Sequence, residues 1–225
     1  MKISKQQTGV TLIEILVVVV IIAILAAMVI GIASRIEIQG KDRVIKNTLE
    51  LLDAALGEFG DYGYNFKGSY SQLKFPPDCN GFLETNLEAA FQDALGATST
   101  PIDGGTHDDP NYSGSEVMYF FLDRVPESKK ILDKIGESLI TQKGSNGSDM
   151  EITVNPGAAD EKKYPLLRVI DPWGKTLRYS YYRNTQAETT PSSEPEQDSP
   201  RTFPVIISAG PDGVFGTDDD IKSRE

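Results

Sequence analysis

The chain has 225 residues, 39% of them hydrophobic, with 22 Lys and Arg against 33 Asp and Glu and a formal net charge of −11. That length holds one modest domain beyond any membrane segment. The acidic balance argues against a nucleic-acid binder, which needs cations to displace counterions from phosphate, and against broad adhesion to anionic lipid surfaces.

Residues 1–9, "MKISKQQTG", carry Lys2 and Lys5 and no acid, which places this end on the cytoplasmic side of a membrane. Residues 15–33 follow without a charge. As a helix they span about 28 Å, close to the hydrocarbon thickness of a bilayer. Glu14 stands at the front of this run. An acid at mid-membrane costs about 2.5–3.5 kcal/mol on insertion scales, less near the interface, and normally implies a partner. No Lys or Arg lies within the span to supply one.

Three readings compete. A secretory signal peptide has a shorter apolar region and a small-residue cleavage site; "GIAS" at residues 31–34 serves only loosely, and Glu14 interrupts the front. A plain signal anchor explains the length and the lysines but leaves Glu14 as an unexplained cost. The third is a prepilin leader. Gly9 followed by Val10, Thr11, Leu12, Ile13 and Glu14 closely resembles the N-termini of type IV pilins and type II secretion pseudopilins: a short basic leader, a Gly, then an apolar helix with Glu at its fifth residue. The resemblance implies cleavage by a prepilin peptidase between Gly9 and Val10 and N-methylation of the new Val10 amine. It also implies pairing of Glu14 with the Val10 amine of a neighbouring subunit during filament assembly. Such a pair strengthens in low dielectric and turns a lone carboxylate into a register device. Val10 departs from the family, which usually has Phe at the first mature position.

Past residue 34 the apolar spacing continues through Val44, Ile45, Leu49, Leu52, Leu56 and Phe59. Steps of four and three from Ile45 onward describe one face of a helix ending near Gly60. Gly31 and Gly40 interrupt it at about 1 kcal/mol each; the alternative is two helices joined near Gly40. Cys79 is the single cysteine, so no intrachain disulfide forms, and it reads as a small half-buried hydrophobe in a loop. Residues 86–95 read as a helix with Asn86 as N-cap and Leu87, Ala90, Phe91 and Ala94 on one face. "STPIDGGTHDDPNYSG" is a loop by its Gly, Pro and Asp content. Its His107 is the only histidine, whereas zinc sites recruit several His or Cys, so it reads as a loop residue. "SEVMYFFLDRV" is helical by its spacing, with a strand left open by its aromatics. In "PESKKILDKIGESLI", Pro126 starts a helix with Ile131, Ile135 and Leu139 inward. "QKGSNGSD" and "NPGAADEKKYP" read as loops.

Three strand candidates follow at residues 166–170, 176–182 and 203–208, the first two joined by the turn "DPWGK". They should form one antiparallel sheet packed on the long helix, with Trp173 covering one end. The Ser-, Thr-, Pro- and Glu-rich stretch before residue 203 lacks apolar periodicity and reads as a mobile loop. The chain closes with "SAGPDGVFGTDDDIKSRE", where Asp212, Asp218, Asp219 and Asp220 crowd a loop that Gly210, Gly213 and Gly216 let turn tightly. Carboxylates so close repel one another unless they are solvated or share a cation. Ca²⁺ accepts six to eight oxygens, backbone carbonyls among them, in flexible geometry. A solvated surface turn remains the other reading, and the EF-hand spacing is absent.

"DPWG" at residues 171–174 and "SAGPDG…GTDDDI" also resemble the C-terminal region of major type II secretion pseudopilins. That resemblance implies a Ca²⁺ ion held by Asp212, Asp218 and Asp220, with Asp219 facing solvent. It covers roughly the first and last 60 residues and leaves the middle unsupported. The expected fold is α+β and pilin-like. It has a leader (1–9), a transmembrane and filament-core helix (10–34), its extracytoplasmic half (35–60), a variable helical and loop region (61–165), and an antiparallel sheet with a calcium loop (166–225). The resemblance implies a non-enzymatic pseudopilin, single-pass in the inner membrane with its C-terminal domain periplasmic. Its partners would be further copies of itself, minor pseudopilins, the prepilin peptidase and the inner-membrane secretion platform. A surface-pilus subunit and a membrane-anchored binding module are the alternatives. No nucleophile elbow, P-loop, H-E-x-x-H or dinucleotide fingerprint occurs, so no catalysis is expected.

Overall fold

The computed structural model describes residues 12–67, 70–78, 84–95, 102–103, 113–144, 147–182 and 200–224. Cys79, His107 and most of the loop before residue 203 lie outside them. The chain divides into two compact units, Met1–Asp42 and Arg43–Glu225, and one helix, α1 (Leu12–Tyr62), contributes to both. No break occurs at Gly40, which lies inside the helix with no neighbour that a side chain would meet. α1 ends where Gly63 takes φ +68°, a left-handed conformation that glycine adopts without a Cβ clash and that stops helices.

In the first unit the large apolar side chains from Leu12 to Leu25 are all exposed, between 49% and 83%. Among the described residues no helix is long and apolar enough to cross a membrane; the side chains described in this run are those of residues 12–27.

In the second unit α1 buries the expected face: Ile45, Leu49, Leu52, Leu56 and Phe59 are 0–2% exposed. Val44, one step off that stripe, stays exposed. Thr48 is buried among them because its hydroxyl donates to the Val44 carbonyl at 2.9 Å, satisfying the one polar group it brings. Beyond α1, Tyr64 and Phe66 join Phe59 and Phe121 in a ring cluster, with Tyr64 edge-on to Phe121 at 5.2 Å. Such pairs contribute about 0.5–1.5 kcal/mol each beyond area burial.

α2 (Glu84–Leu95) starts two residues before Asn86, so Asn86 sits within the first turn rather than capping it. Ala90 and Phe91 are buried, as the helical face required. β1 (Ile102–Asp103) follows. α3 (Ser113–Leu122) resolves the helix-or-strand choice, its aromatics buried around the helix rather than alternating. α4 (Pro126–Leu132) has Pro at its start but is shorter than the sequence suggested. The amides of Lys134 and Ile135 bond three residues back, to Ile131 and Leu132, tightening and ending the helix before Gly136. Ile135 still reaches the core, and Ile131 and Leu139 pack against it. Ser128 of α4 donates to the Ala55 carbonyl of α1 at 2.8 Å, a buried tie between the two helices.

The strands are β2 (Ile140–Thr141), β3 (Glu151–Val154), β4 (Lys162–Pro165), β5 (Arg168–Val169), β6 (Arg178–Tyr182), β7 (Pro200–Ser208) and β8 (Ile221–Lys222). They form three antiparallel sheets, ordered β1-β3-β4, β2-β5 and β6-β7-β8. This corrects the single expected sheet in two ways. β5 pairs with β2, and meets the chain after the "DPWGK" turn only through the isolated bridge Ile170–Thr176. β8 then takes the third place beside β7. The middle region also holds a sheet that the sequence did not announce: "KKYP", read as part of a loop, is β4, paired to β3 from Glu151–Pro165 to Val154–Lys162.

α3 packs on β5 and β6. There Glu116 and Arg168 form an ion pair at 3.5 Å with side chains 1% and 7% exposed, and Arg168 Nη2 donates to the Lys143 carbonyl at 2.9 Å. Tyr179, Tyr181 and Ile206 of the last sheet share one core with the buried face of α1.

Candidate functional site

The N-terminal constellation is only partly described, since Gly9 and Val10 lie outside the described residues. Glu14 lies in the first turn of α1, exposed among exposed apolar neighbours. The partial positive charge of a helix N-terminus favours an anion there by about 0.3–1 kcal/mol. That is smaller than the insertion cost of a carboxylate deep in lipid, so the helix alone does not compensate Glu14 in an apolar setting.

The second constellation is the aspartate-rich loop after β7. Gly210, Gly213 and Gly216 have φ of +63°, +69° and +89°, so the chain reverses repeatedly at glycines, as their spacing suggested. At Gly210 a Cβ would lie 2.3 Å from the Asp219 carbonyl oxygen; only glycine permits this approach. Asp219 does not simply face solvent. Its Oδ2 accepts the Asp212 amide at 3.0 Å, and its Oδ1 lies 2.5 Å from the Thr217 hydroxyl. The Thr217 hydroxyl and then the Asp212 amide hold its carboxyl below the ordinary Asp value. Asp212 Oδ1 accepts the Val214 amide at 2.7 Å, and Asp220 Oδ2 accepts the Gly216 amide at 2.9 Å. Asp218 is exposed. The loop's carboxylates thus fold it by capping its own amides.

Asp171 anchors that loop from a distance. It is 1% exposed; Oδ1 accepts the Trp173 and Lys175 amides at 3.0 and 2.9 Å, and Oδ2 accepts the Ser208 hydroxyl at 2.8 Å. Ser208 Oγ in turn accepts the Gly210 amide at 3.2 Å. The "DPWG" turn and the "SAGPDG" loop, far apart in sequence, are therefore one hydrogen-bonded unit. The one local signal for this unit in the sequence is the turn-forming habit of an Asp at the head of a Pro-Trp-Gly turn. At its other end the loop is held by Ser223, whose amide donates to the Ile206 carbonyl at 2.9 Å. Arg224 bonds Asp53 of α1 at 2.8 Å and stacks over Phe203 at 3.8 Å.

Does this loop suit a cation? Asp220 Oδ1 is sealed from solvent and has no hydrogen-bond partner, the condition a hard cation relieves. The donors are carboxylate and carbonyl oxygens, the chemistry Ca²⁺ takes. Among the described residues no three His, Cys, Asp or Glu side chains gather into a metal-holding group, so a cation here would draw on backbone carbonyls as well. Elsewhere, an apolar groove of about 490 Å³ runs between α1 and the turns at residues 134–139 and 170–174, lined by Val44, Leu51, Ile135, Leu139 and Ile170.

A family model described as the prokaryotic N-terminal methylation motif matches residues 4–30. No curated protein and no solved structure matches the chain. The matched stretch contains Gly9, Val10 and Glu14. The chain thus carries a type IV pilin-like prepilin signal, which implies prepilin-peptidase processing and pilin-like filament assembly.

Proposed function

We propose that the chain is a structural pseudopilin subunit of a type II secretion system, polymerising into a periplasmic filament that drives protein export, and that it is not an enzyme. The observation that carries this reading is the methylation motif with Glu14 five residues beyond Gly9. The leader keeps the N-terminus cytoplasmic, the apolar stretch of α1 anchors the subunit in the inner membrane, and the unit Arg43–Glu225 projects into the periplasm. Cleavage after Gly9 and methylation leave a cation at Val10. As a subunit leaves the bilayer, Glu14 meets that amine on the adjacent copy, and the pair fixes axial register in a medium where each charge alone is costly. Side-by-side packing of the exposed apolar residues supplies the cohesion. Minor pseudopilins and the inner-membrane platform are the expected partners.

The mature protein should begin at an N-methylated Val10, read by N-terminal sequencing and mass spectrometry, and Glu14→Ala should abolish most polymer while leaving membrane insertion intact. An unprocessed Met1 at the mature terminus, or undiminished polymer in the variant, overturns the reading. Surface pili with secretion intact in a deletion strain would transfer the subunit to a pilus.

We propose that the C-terminal loop takes Ca²⁺ through Asp220, whose Oδ1 has no other partner, and backbone carbonyls; Asp212 and Asp218, which the resemblance adds, do not gather with it into one group in the structure. The ion would neutralise repulsion among these acids and join the two ends of the loop. Terbium luminescence sensitised on binding, and a fall in melting temperature with chelator, are the expected results. Absence of both leaves Asp212 and Asp220 as caps of the loop's own amides, without an ion.

A further inference from the structure

Asp93, in the last turn of α2, is 4% exposed. Its Oδ1 accepts the Lys67 amide at 3.0 Å, and the Tyr64 hydroxyl lies 3.4 Å from its carbonyl. Its Oδ2 is sealed from solvent with no hydrogen-bond partner. One residue thereby fastens the end of α2 to the segment that leaves α1, next to the ring cluster of Phe59, Tyr64, Phe66 and Phe121.

An ionised carboxylate can accept about four hydrogen bonds, and among the described residues this one has a single amide donor. Among those residues the titratable and charged groups facing it are Lys67, whose contact is through the backbone, and Tyr64. Arg124, after α3, lies beyond Tyr64 and is committed to the Phe120 ring at 3.6 Å. By sequence, α2 and the elements packed on it carry further acids, Glu84 and Glu88 on α2, Asp103 on β1, and on α3 Glu116, which pairs with Arg168. A buried anion so poorly partnered is costly, and a proton removes the charge.

We propose that Asp93 is a proton-operated latch: protonated, it seats the end of α2 on residues 64–67; ionised, it loosens that end. Burial holds the Asp93 carboxyl above the ordinary Asp value, opposed less strongly by the Lys67 amide and charge. The sign follows. With the folded value above the unfolded one, the contribution to stability is complete below the unfolded pKa of about 3.9. It is lost as pH rises through the raised folded value. Nothing in this depends on the filament reading.

The test uses the full chain in detergent micelles, with wild type and Asp93→Asn compared between about pH 4 and pH 7. Carboxyl NMR follows the Asp93 titration, and amide exchange, corrected for its intrinsic pH dependence, gives the protection of α2. Wild type should titrate above an ordinary Asp, and its α2 protection should fall as pH rises; in the Asn variant that protection should be flat. An ordinary Asp93 titration, or the same pH dependence in the Asn variant, overturns the latch. If the variant does not fold, the wild-type titration decides alone.

Discussion

Glu116→Ala lowers the unfolding free energy of the unit Arg43–Glu225 by about 3–5 kcal/mol, and its melting temperature by on the order of 10 °C. The reason lies in where the pair sits. Glu116 and Arg168 are almost wholly buried at 3.5 Å from each other, so truncating the acid leaves a guanidinium in low dielectric without its carboxylate. The charge left behind accounts for the loss, more than the attraction removed. Replacing both, Glu116→Leu with Arg168→Met, therefore costs much less than Glu116→Ala alone. Urea unfolding of the three proteins measures this; a double variant as unstable as the single would show that packing, and not the stranded charge, dominates.

Gly210→Ala should be the most damaging change in the C-terminal loop, at about 2–4 kcal/mol. The left-handed backbone alone accounts for about 1–2 kcal/mol. The remainder comes from the new methyl group, which would lie 2.3 Å from the Asp219 carbonyl oxygen and 2.9 Å from its Oδ2. Backbone cannot swing aside as a side-chain tip can, so the loop must open, and the Asp212 amide loses Asp219 as acceptor. Gly213→Ala is the internal control. Its φ of +69° is just as unfavourable, but no atom lies within 4 Å of the added Cβ, so only the backbone term should appear. Thermal unfolding with proteolysis across residues 209–220 separates the two; equal losses would mean the close approach contributes nothing.

What the sequence made legible was local. The buried stripe of α1 from Ile45 to Phe59 follows from helical spacing within one segment, and even the exposure of Val44 fits its one-step offset. β7 was visible through Val205, Ile206 and Ile207, a β-branched run. What escaped depends on contacts between distant residues. β4 is made of charged and mostly exposed residues, and becomes a strand because β3 offers it a ladder. β5 carries too little pattern to say whether β6 or β2 will pair with it. Glu116 and Arg168 look like surface charges in sequence, and only the packing of α3 on β5 buries them. At the candidate site, the Gly9–Glu14 motif is contiguous and was read directly. The Asp171–Ser208 tie joins side chains 37 residues apart and has no local signature.

If the proposed filament forms, the apolar stretch of α1 from Leu12 to Leu25 bears on how its copies would recognise one another. Its large side chains are exposed at every position around the axis, with no sheltered side. Oil-like contact is non-directional, so such a cylinder can rotate or slide against its neighbours with little preference. Its azimuth and height are distinguished by the one ionisable group on that stretch, Glu14. In the proposed filament, specificity of fit would therefore rest on a point, while adhesion would be spread over the whole surface.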